Sequence, residues 1–176
     1  MVSPIAGVRR WRCPVCKASH TNLAAVLGPS APDAWLAVSE GERMEAELTP
    51  DVCILPFQGT TRHFIRGHIQ IPVRDDDLPL FVWSVWVEVD EESMAEIART
   101  WSDPNRAAMP PLTGTLATEL PYEDATSGLE ITIHTRDPGQ VPLLMLSEDC
   151  QHSLAVEQRD GIIVHRVAEF NSRLRR

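Results

Sequence analysis

The sequence has few of the features that mark several large functional classes. Its first twenty residues contain no apolar run of signal-peptide length, and no later stretch approaches the roughly 20 apolar residues that cross a bilayer. A glycine-rich phosphate loop and the Gly-x-Ser-x-Gly turn of a nucleophilic serine are also missing. We therefore expect a cytoplasmic protein with no membrane segment and no recognisable catalytic set.

Positive charge is scarce as well. The 176 residues include 16 Lys and Arg against 25 Asp and Glu, which gives a formal net charge of −9. A negative net charge repels the phosphate backbone of nucleic acids, and the basic clusters are confined to residues 9–12 and 173–176. We expect no general nucleic-acid binding. The acidic balance suits a basic protein partner, or solubility alone.

Cysteine is limited to four residues, which a reducing cytosol keeps as thiols or metal ligands rather than as disulfides. Cys13 and Cys16 are separated by two residues, a spacing that lets two thiolates chelate one tetrahedral ion. The sequence contains no second Cys-x-x-Cys pair. The motif is therefore half of a zinc site.

The other half of the site must come from other segments. His20 follows the pair closely, Cys53 lies in a distant apolar run, and Cys150 and His152 are further candidates. We predict a structural zinc ion held by Cys13, Cys16, His20 and Cys53, which pins a loop-rich N-terminal segment onto the sheet. Three alternatives stay open: unligated cysteines with Cys53 as a small buried side chain, a redox pair, or a catalytic zinc with a bound water.

Hydrophobic periodicity predicts a sheet-rich chain. Period-two alternation predicts strands at 52–57, 62–73, 80–89, 112–120, 129–135 and 141–146, with a turn at 75–77. Helical spacing predicts helices at 40–48, 91–101, 147–159 and 163–174, the first three capped by Ser39, Asp90 and Ser147.

The order of these elements predicts the fold class. Strands dominate the centre of the chain, and the helices do not alternate with them one for one. This pattern predicts an α+β fold, a largely antiparallel β-sheet with helices packed on one side. We expect a single domain over residues 1–176, in which residues 1–32 form the loop-rich segment with the Cys-x-x-Cys zinc knuckle.

The strand faces opposite the predicted core carry several functional-type side chains. They are Arg66, His68, Trp86, His134 and Arg136. Arginine can clamp a carboxylate or phosphate, and tryptophan can stack on a ligand, so this surface is a candidate site for a small anion or a peptide acid. The alternatives are an ordinary solvated sheet face, or an acid/base site that uses His68 or His134.

Several segments carry a family resemblance. They are Cys13, Cys16 and His20, then Asp51-Val52-Cys53-Ile54, Phe64-Ile65-Arg66-Gly67, residues 82–87, Leu120-Pro121-Tyr122, His134-Thr135-Arg136, residues 152–158 and Gly161-Ile162. With these, the chain resembles the bacterial domain of unknown function 2199. The resemblance implies one intact domain and supplies no activity. Lys17 stands where that family usually has a glycine, which would adopt a left-handed turn without steric cost.

These observations lead to one main hypothesis and two others. The main hypothesis is a non-enzymatic, zinc-stapled binding or interaction module, whose partner is a small molecule or a protein. The second is a metal-dependent or acid/base enzyme that acts on a small anionic substrate at the polar sheet face. The third, suggested by size and acidity, is an immunity-type protein that binds a basic partner.

Overall fold

The computed structural model describes residues 10–13, 15–75 and 78–174, with only the backbone of Arg10, Trp11 and Thr21. Its strands are β1 (Arg10–Arg12), β2 (Ser19–Thr21), β3 (Val26–Leu27), β4 (Glu47–Leu48), β5 (Val52–Phe57), β6 (Thr60–Pro72), β7 (Leu80–Val89), β8 (Leu112–Leu116), β9 (Glu130–His134) and β10 (Leu143–Met145). Its α-helices are α1 (Asp33–Ala37), α2 (Glu40–Met44), α3 (Glu91–Arg99), α4 (Ser153–Asp160) and α5 (Val164–Leu174). Residues 1–9 of the predicted loop-rich segment, part of the predicted turn at 75–77, and residues 175–176 lie outside the described residues.

The central sheet closes on itself. Strands β6 and β7 form a long antiparallel pair, and β8, β9 and β10 continue from β7 in antiparallel order. Strand β10 then pairs in parallel with β6, at Leu143 and His68, and this contact completes a closed barrel. The predicted α+β class is confirmed, and most strand pairs are antiparallel, but the largely antiparallel sheet is a closed barrel. Alternation along a strand specifies its two faces and does not specify which strand edges meet.

A glycine allows the closing contact. Gly67 on β6 lies where a side chain would meet three side-chain carbons of Leu144 on β10, at 2.6–2.7 Å from a Cβ atom. Leu144 is fully buried and fills that space itself. The absence of a side chain at Gly67 therefore lets β10 come close enough to β6 to complete the barrel.

The main core lies on the inner face of the closed sheet. The inward-facing residues of the two long strands are buried there, as the sequence predicts: Ile65, Ile69 and Ile71 of β6, and Phe81, Trp83, Val85, Val87 and Val89 of β7. Helices α3, α4 and α5 contribute Ile97, Leu154 and Phe170, among others, to the same cluster. This cluster fixes the position of α5, the helix that matters most for the site described below.

A second, smaller core lies on the outer face. Cys53, Phe64 and Trp86 are buried there beneath Val38 and the segment around Trp35. The prediction that helices pack on one side of the sheet is therefore wrong for α1, because this helix packs on the outer face. Large apolar side chains alternate with polar ones on the outer faces of β5 to β7, and α1 with the residue after it covers them.

Helix ends follow side-chain capping at two of the three predicted sites. Ser39 forms a capping box with Glu42 at the start of α2, and Asp90 accepts a hydrogen bond from the backbone of Ser93 at the start of α3. The predicted cap at Ser147 is wrong, because α4 begins later and His152 caps it. Among the described residues, no helix has the length and apolar character needed to cross a membrane.

Candidate metal centre and outer polar face

The Cys-x-x-Cys turn joins the two short antiparallel strands β1 and β2. The backbone N–H of Lys17 donates to the carbonyl of Cys13 at 2.9 Å, and the N–H of Cys13 donates to the carbonyl of Ala18 at 2.8 Å. The N–H of Cys16 points at Cys13 Sγ, at 3.4 Å. This turn places both sulfurs on one side and brings His20, on β2, next to Cys16.

Helix α5 supplies a fourth donor. His165 Nδ1 lies 3.1 Å from Cys13 Sγ, and His20 Nε2 lies 3.3 Å from Cys16 Sγ. The four potential ligand atoms of Cys13, Cys16, His20 and His165 all lie within 4.8 Å of one another. Three of the four ligands predicted from the sequence are therefore brought together, and His165 stands where Cys53 was expected.

Cys53 belongs to the outer-face core instead. It is fully buried on β5, in the cluster that contains Phe64 and Trp86. Burial raises the pKa of its thiol to about 11, so the protonated, uncharged form dominates at neutral pH. The prediction that Cys53 is a zinc ligand is therefore wrong. The alternative prediction, that Cys53 is a small buried side chain, describes its position in the structure.

The donor set matches zinc in kind, and its two sulfur–nitrogen contacts are close to zinc geometry. Two cysteine sulfurs with two histidine nitrogens are a common ligand set of structural zinc sites. Bond lengths of about 2.3 Å to sulfur and about 2.0 Å to nitrogen place the donors of a regular tetrahedron about 3.4–3.8 Å apart. The two sulfur–nitrogen separations of 3.1 and 3.3 Å lie within about half an ångström of that geometry.

The surroundings favour the charged form of Cys13. Burial acts to raise its pKa, but hydrogen bonds from the backbone and side chain of Cys16 and from the backbone of Val15 outweigh burial, and the pKa is lowered. Asp75 opposes this lowering through its charge. The thiolate is the form that binds a metal ion, so the turn prepares this sulfur for coordination.

Acidic and basic residues of the last two helices hold His165 in place. Its Nε2 lies 3.6 Å from Glu169 Oε1, which favours Nδ1 as the metal-facing nitrogen. Glu169 also pairs with Arg166 at 3.0 Å, and Arg166 pairs with Glu157 of α4 at 2.9 Å. The hydroxyl of Tyr122 donates to Glu157 at 2.5 Å. This chain of contacts anchors α5, and hence His165, to α4 and the core.

The sequence carries only a weak signal for His165. Its position is 152 residues from Cys13, so no local ligand spacing can reveal it. The signal that was available is a histidine four residues before Glu169 on an amphipathic helix, an arrangement in which a carboxylate faces the imidazole. The spacing of residues along the sequence can identify candidate ligands within one turn. It cannot identify a candidate that is brought to the site by the packing of a distant segment.

Strand pairing places four of the residues predicted on the polar sheet face on the same side of the sheet. Arg66 lies opposite Trp86 on β7, and His68 lies opposite Leu143 on β10, which in turn lies opposite His134 on β9. Paired residues point to the same side of a sheet, so the two histidines lie on either side of Leu143. The backbones of the two histidines are therefore two strand spacings, or about 10 Å, apart. They are therefore not a hydrogen-bonded pair.

Trp86 is not an open platform for a ligand. It is fully buried, and its ring lies under the guanidinium carbon of Arg66, 4.7 Å from the ring centroid. Its Nε1 donates to the carbonyl of Pro29 at 3.3 Å. A ligand on this surface would meet Arg66 rather than the indole face.

We expect Lys17→Gly to raise the stability of the Cys-x-x-Cys turn. Lys17 has a φ of 61°, the left-handed conformation that costs a residue with a side chain about 1–2 kcal/mol and costs glycine little. Thermal unfolding should show Lys17→Gly to be about 1 kcal/mol more stable than Lys17→Ala, the matched control that removes the same side chain and keeps the strain. Equal stabilities of the two variants would contradict a strained turn.

A comparison with protein families gives a match over most of the chain. The family described as "Uncharacterized protein conserved in bacteria (DUF2199)" matches residues 12–162. That span includes Cys13, Cys16 and His20 and ends just before α5. No curated protein and no solved structure matches the chain.

Proposed function

The chain belongs to the DUF2199 family of bacterial proteins, and for this member we propose a binding or interaction module held together by a structural zinc ion. The observation that carries the proposal is the approach of four donor atoms, from Cys13, Cys16, His20 and His165, to within 4.8 Å of one another. These donors come from the two ends of the described chain. The zinc ion would join the N-terminal knuckle to the C-terminal helix.

The number of donors supports a structural rather than a catalytic role. A catalytic zinc site keeps one position for water or substrate, whereas four protein ligands complete the tetrahedron. The knuckle also needs a staple, because an isolated pair of three-residue strands is at best marginally stable in water. When bound, the ion would supply a cross-link. The thiolates of Cys13 and Cys16 would balance its positive charge.

The binding part of the proposal rests on surface chemistry. The formal net charge of −9 disfavours nucleic acid and favours a basic protein partner, or a small molecule bound where positive charge is concentrated. An enzymatic role finds less support, because His68 and His134 are separated by Leu143 and form no acid/base pair. We therefore propose no second function for this chain.

Metal analysis of untagged protein tests the structural zinc ion. We expect about one zinc per chain, and we expect Cys13→Ser to lose that zinc and to unfold at a lower temperature, because one of the four ligands is gone. Cys53→Ser is the matched control, since it changes an equally buried cysteine outside the donor group. It should keep the zinc even if it loses some stability. Wild-type protein that is fully stable without metal would overturn the proposal.

A further inference from the structure

Two arginines on the outer face of the closed sheet lack acidic partners. Elsewhere in the described chain, Arg62, Arg99 and Arg166 each pair with a glutamate at 2.6–3.0 Å. Arg66 and Arg136 instead donate only to uncharged oxygens, and neither forms an ion pair within residues 10–13, 15–75 and 78–174. In a chain with a net charge of −9, these two side chains place positive charge on the outer face, where Asp51 is the acidic group that acts on Arg66.

Neutral contacts hold both guanidinium groups in fixed positions. Arg66 donates to the hydroxyl of Ser84 and to the carbonyl of Ser30, both at 3.2 Å, and its guanidinium carbon lies 4.7 Å from the ring centroid of Trp86. Arg136 donates from Nε to the carbonyl of Val141 at 2.7 Å. A guanidinium has five N–H donors, so each side chain keeps donors available after these contacts. Fixed groups with spare donors lose little conformational freedom when they bind a ligand.

His68 is close enough to both arginines for their charges to act on its ring. Its strand, β6, carries Arg66 two residues earlier on the same face, and Arg136 follows β9 on the other side of β10. Burial lowers the pKa of His68, and the charges of Arg136 and Arg66 lower it further. Asp51 opposes this lowering through its charge but makes no side-chain hydrogen bond to either arginine. His68 is therefore a neutral imidazole in a positive field.

One donor on this surface is already removed from water. Arg66 Nε is buried and has no hydrogen-bond partner, although buried polar groups in folded proteins are nearly always paired. Desolvation lowers the pKa of Arg66, which shows that burial works against its charge. An anion that met the remaining donors of this guanidinium would offset that cost.

We propose that Arg66, His68 and Arg136 form a binding site for a small oxyanion, such as a carboxylate or phosphate group. Arginine donors match the oxygen geometry of such groups, and the imidazole of His68 adds a further donor. The proposal gives a ligand class to the binding role proposed above. It does not depend on the zinc centre, because none of its residues belongs to the donor group.

Bound anion should also change the protonation of His68. An anion beside the ring favours the imidazolium, so the affinity for sulfate, which does not itself titrate near neutral pH, should rise as the pH falls from about 7 to about 5. The charged groups that act on this ring are Arg66 on β6, Arg136 after β9 and Asp51 before β5. His134 on β9 is exposed and flanks Leu143 on its other side.

Calorimetric titration at low ionic strength, with sodium phosphate and sodium succinate as probes, tests the site. We expect heat of binding at probe concentrations below about 10 mM, where matched sodium chloride gives none. Arg136→Gln should weaken binding by at least about 10-fold, because one charge-assisted donor is lost. Arg99→Gln, at an exposed arginine paired with Glu96, is the matched control and should leave binding unchanged.

These measurements test the anion site independently of the proposed zinc site. The zinc content of both variants should equal that of the wild-type chain, so a loss of anion binding cannot be assigned to the metal. Response to phosphate but not succinate, or the reverse, would identify the source of the oxyanion. No response to either probe beyond that to chloride, or full binding by Arg136→Gln, would overturn the site.

Discussion

His165→Ala is expected to weaken zinc binding by at least about 100-fold. Loss of a residue that only supports a ligand costs about 10–100-fold in metal affinity, and His165 is itself one of the four donors. A 100-fold loss of affinity removes about 3 kcal/mol of metal-linked stability, or about 10 °C in Tm for a chain of this length. Competition with a zinc-binding dye and thermal unfolding at fixed free zinc measure both quantities.

A second histidine variant controls for this result. His134→Ala changes an exposed histidine on β9 that does not belong to the donor group, so zinc affinity and Tm should stay at wild-type values. In excess chelator, wild type and His165→Ala should approach the same Tm, because the metal-linked difference has been removed. If His165→Ala retained wild-type zinc affinity, the fourth ligand would have to be sought elsewhere.

Gly28→Ala should be among the most damaging single-methyl changes in the chain. A Cβ atom at Gly28 would lie 1.7 Å from the backbone oxygen of Ser84, and a backbone atom within β7 cannot move aside. We expect a loss of about 3 kcal/mol, the upper range for overpacking, and a Tm lower by about 10 °C. Thermal unfolding followed by circular dichroism measures the change.

The effect should extend to the outer face. The segment after Gly28 covers Trp86 through the carbonyl of Pro29 and holds Arg66 through the carbonyl of Ser30. Displacement of that segment should expose the indole and shift tryptophan emission to longer wavelength. Gly41→Ala is the matched control, since its nearest neighbour would be Ser39 Oγ at 3.9 Å in helix α2. It should be neutral or gain up to about 1 kcal/mol. A stable Gly28→Ala would contradict the close approach.

The elements that were predictable are those whose signal is local. Strand β5 (Val52–Phe57) and strand β7 (Leu80–Val89) have the predicted bounds, because turn residues and apolar alternation lie within the segments themselves. Ser39 and Asp90 cap helices because their side chains reach N–H groups three residues ahead. Ser147 offered the same type of residue, but the chain only becomes helical after His152.

What could not be predicted depends on contacts between distant segments. The pairing of β10 with β6 needs Gly67 and Leu144 to meet, and nothing near either residue indicates the other. The same holds for His165, which reaches Cys13 through the packing of α5. Cys53 has the chemistry of a ligand, and only its burial within the outer-face core removes it from the site.

The separation of the proposed zinc ligands along the chain has a consequence for how the protein is made. A ribosome delivers the chain from its N-terminus at about 5–20 residues per second, so the Cys13 and His165 donors emerge many seconds apart. Until α5 appears, the nascent chain offers Cys13, Cys16 and His20, a three-donor set with an open coordination position. Tight zinc binding would then wait for the synthesis of α5, and a chain that terminates before α5 would be a weak, exchangeable metal binder.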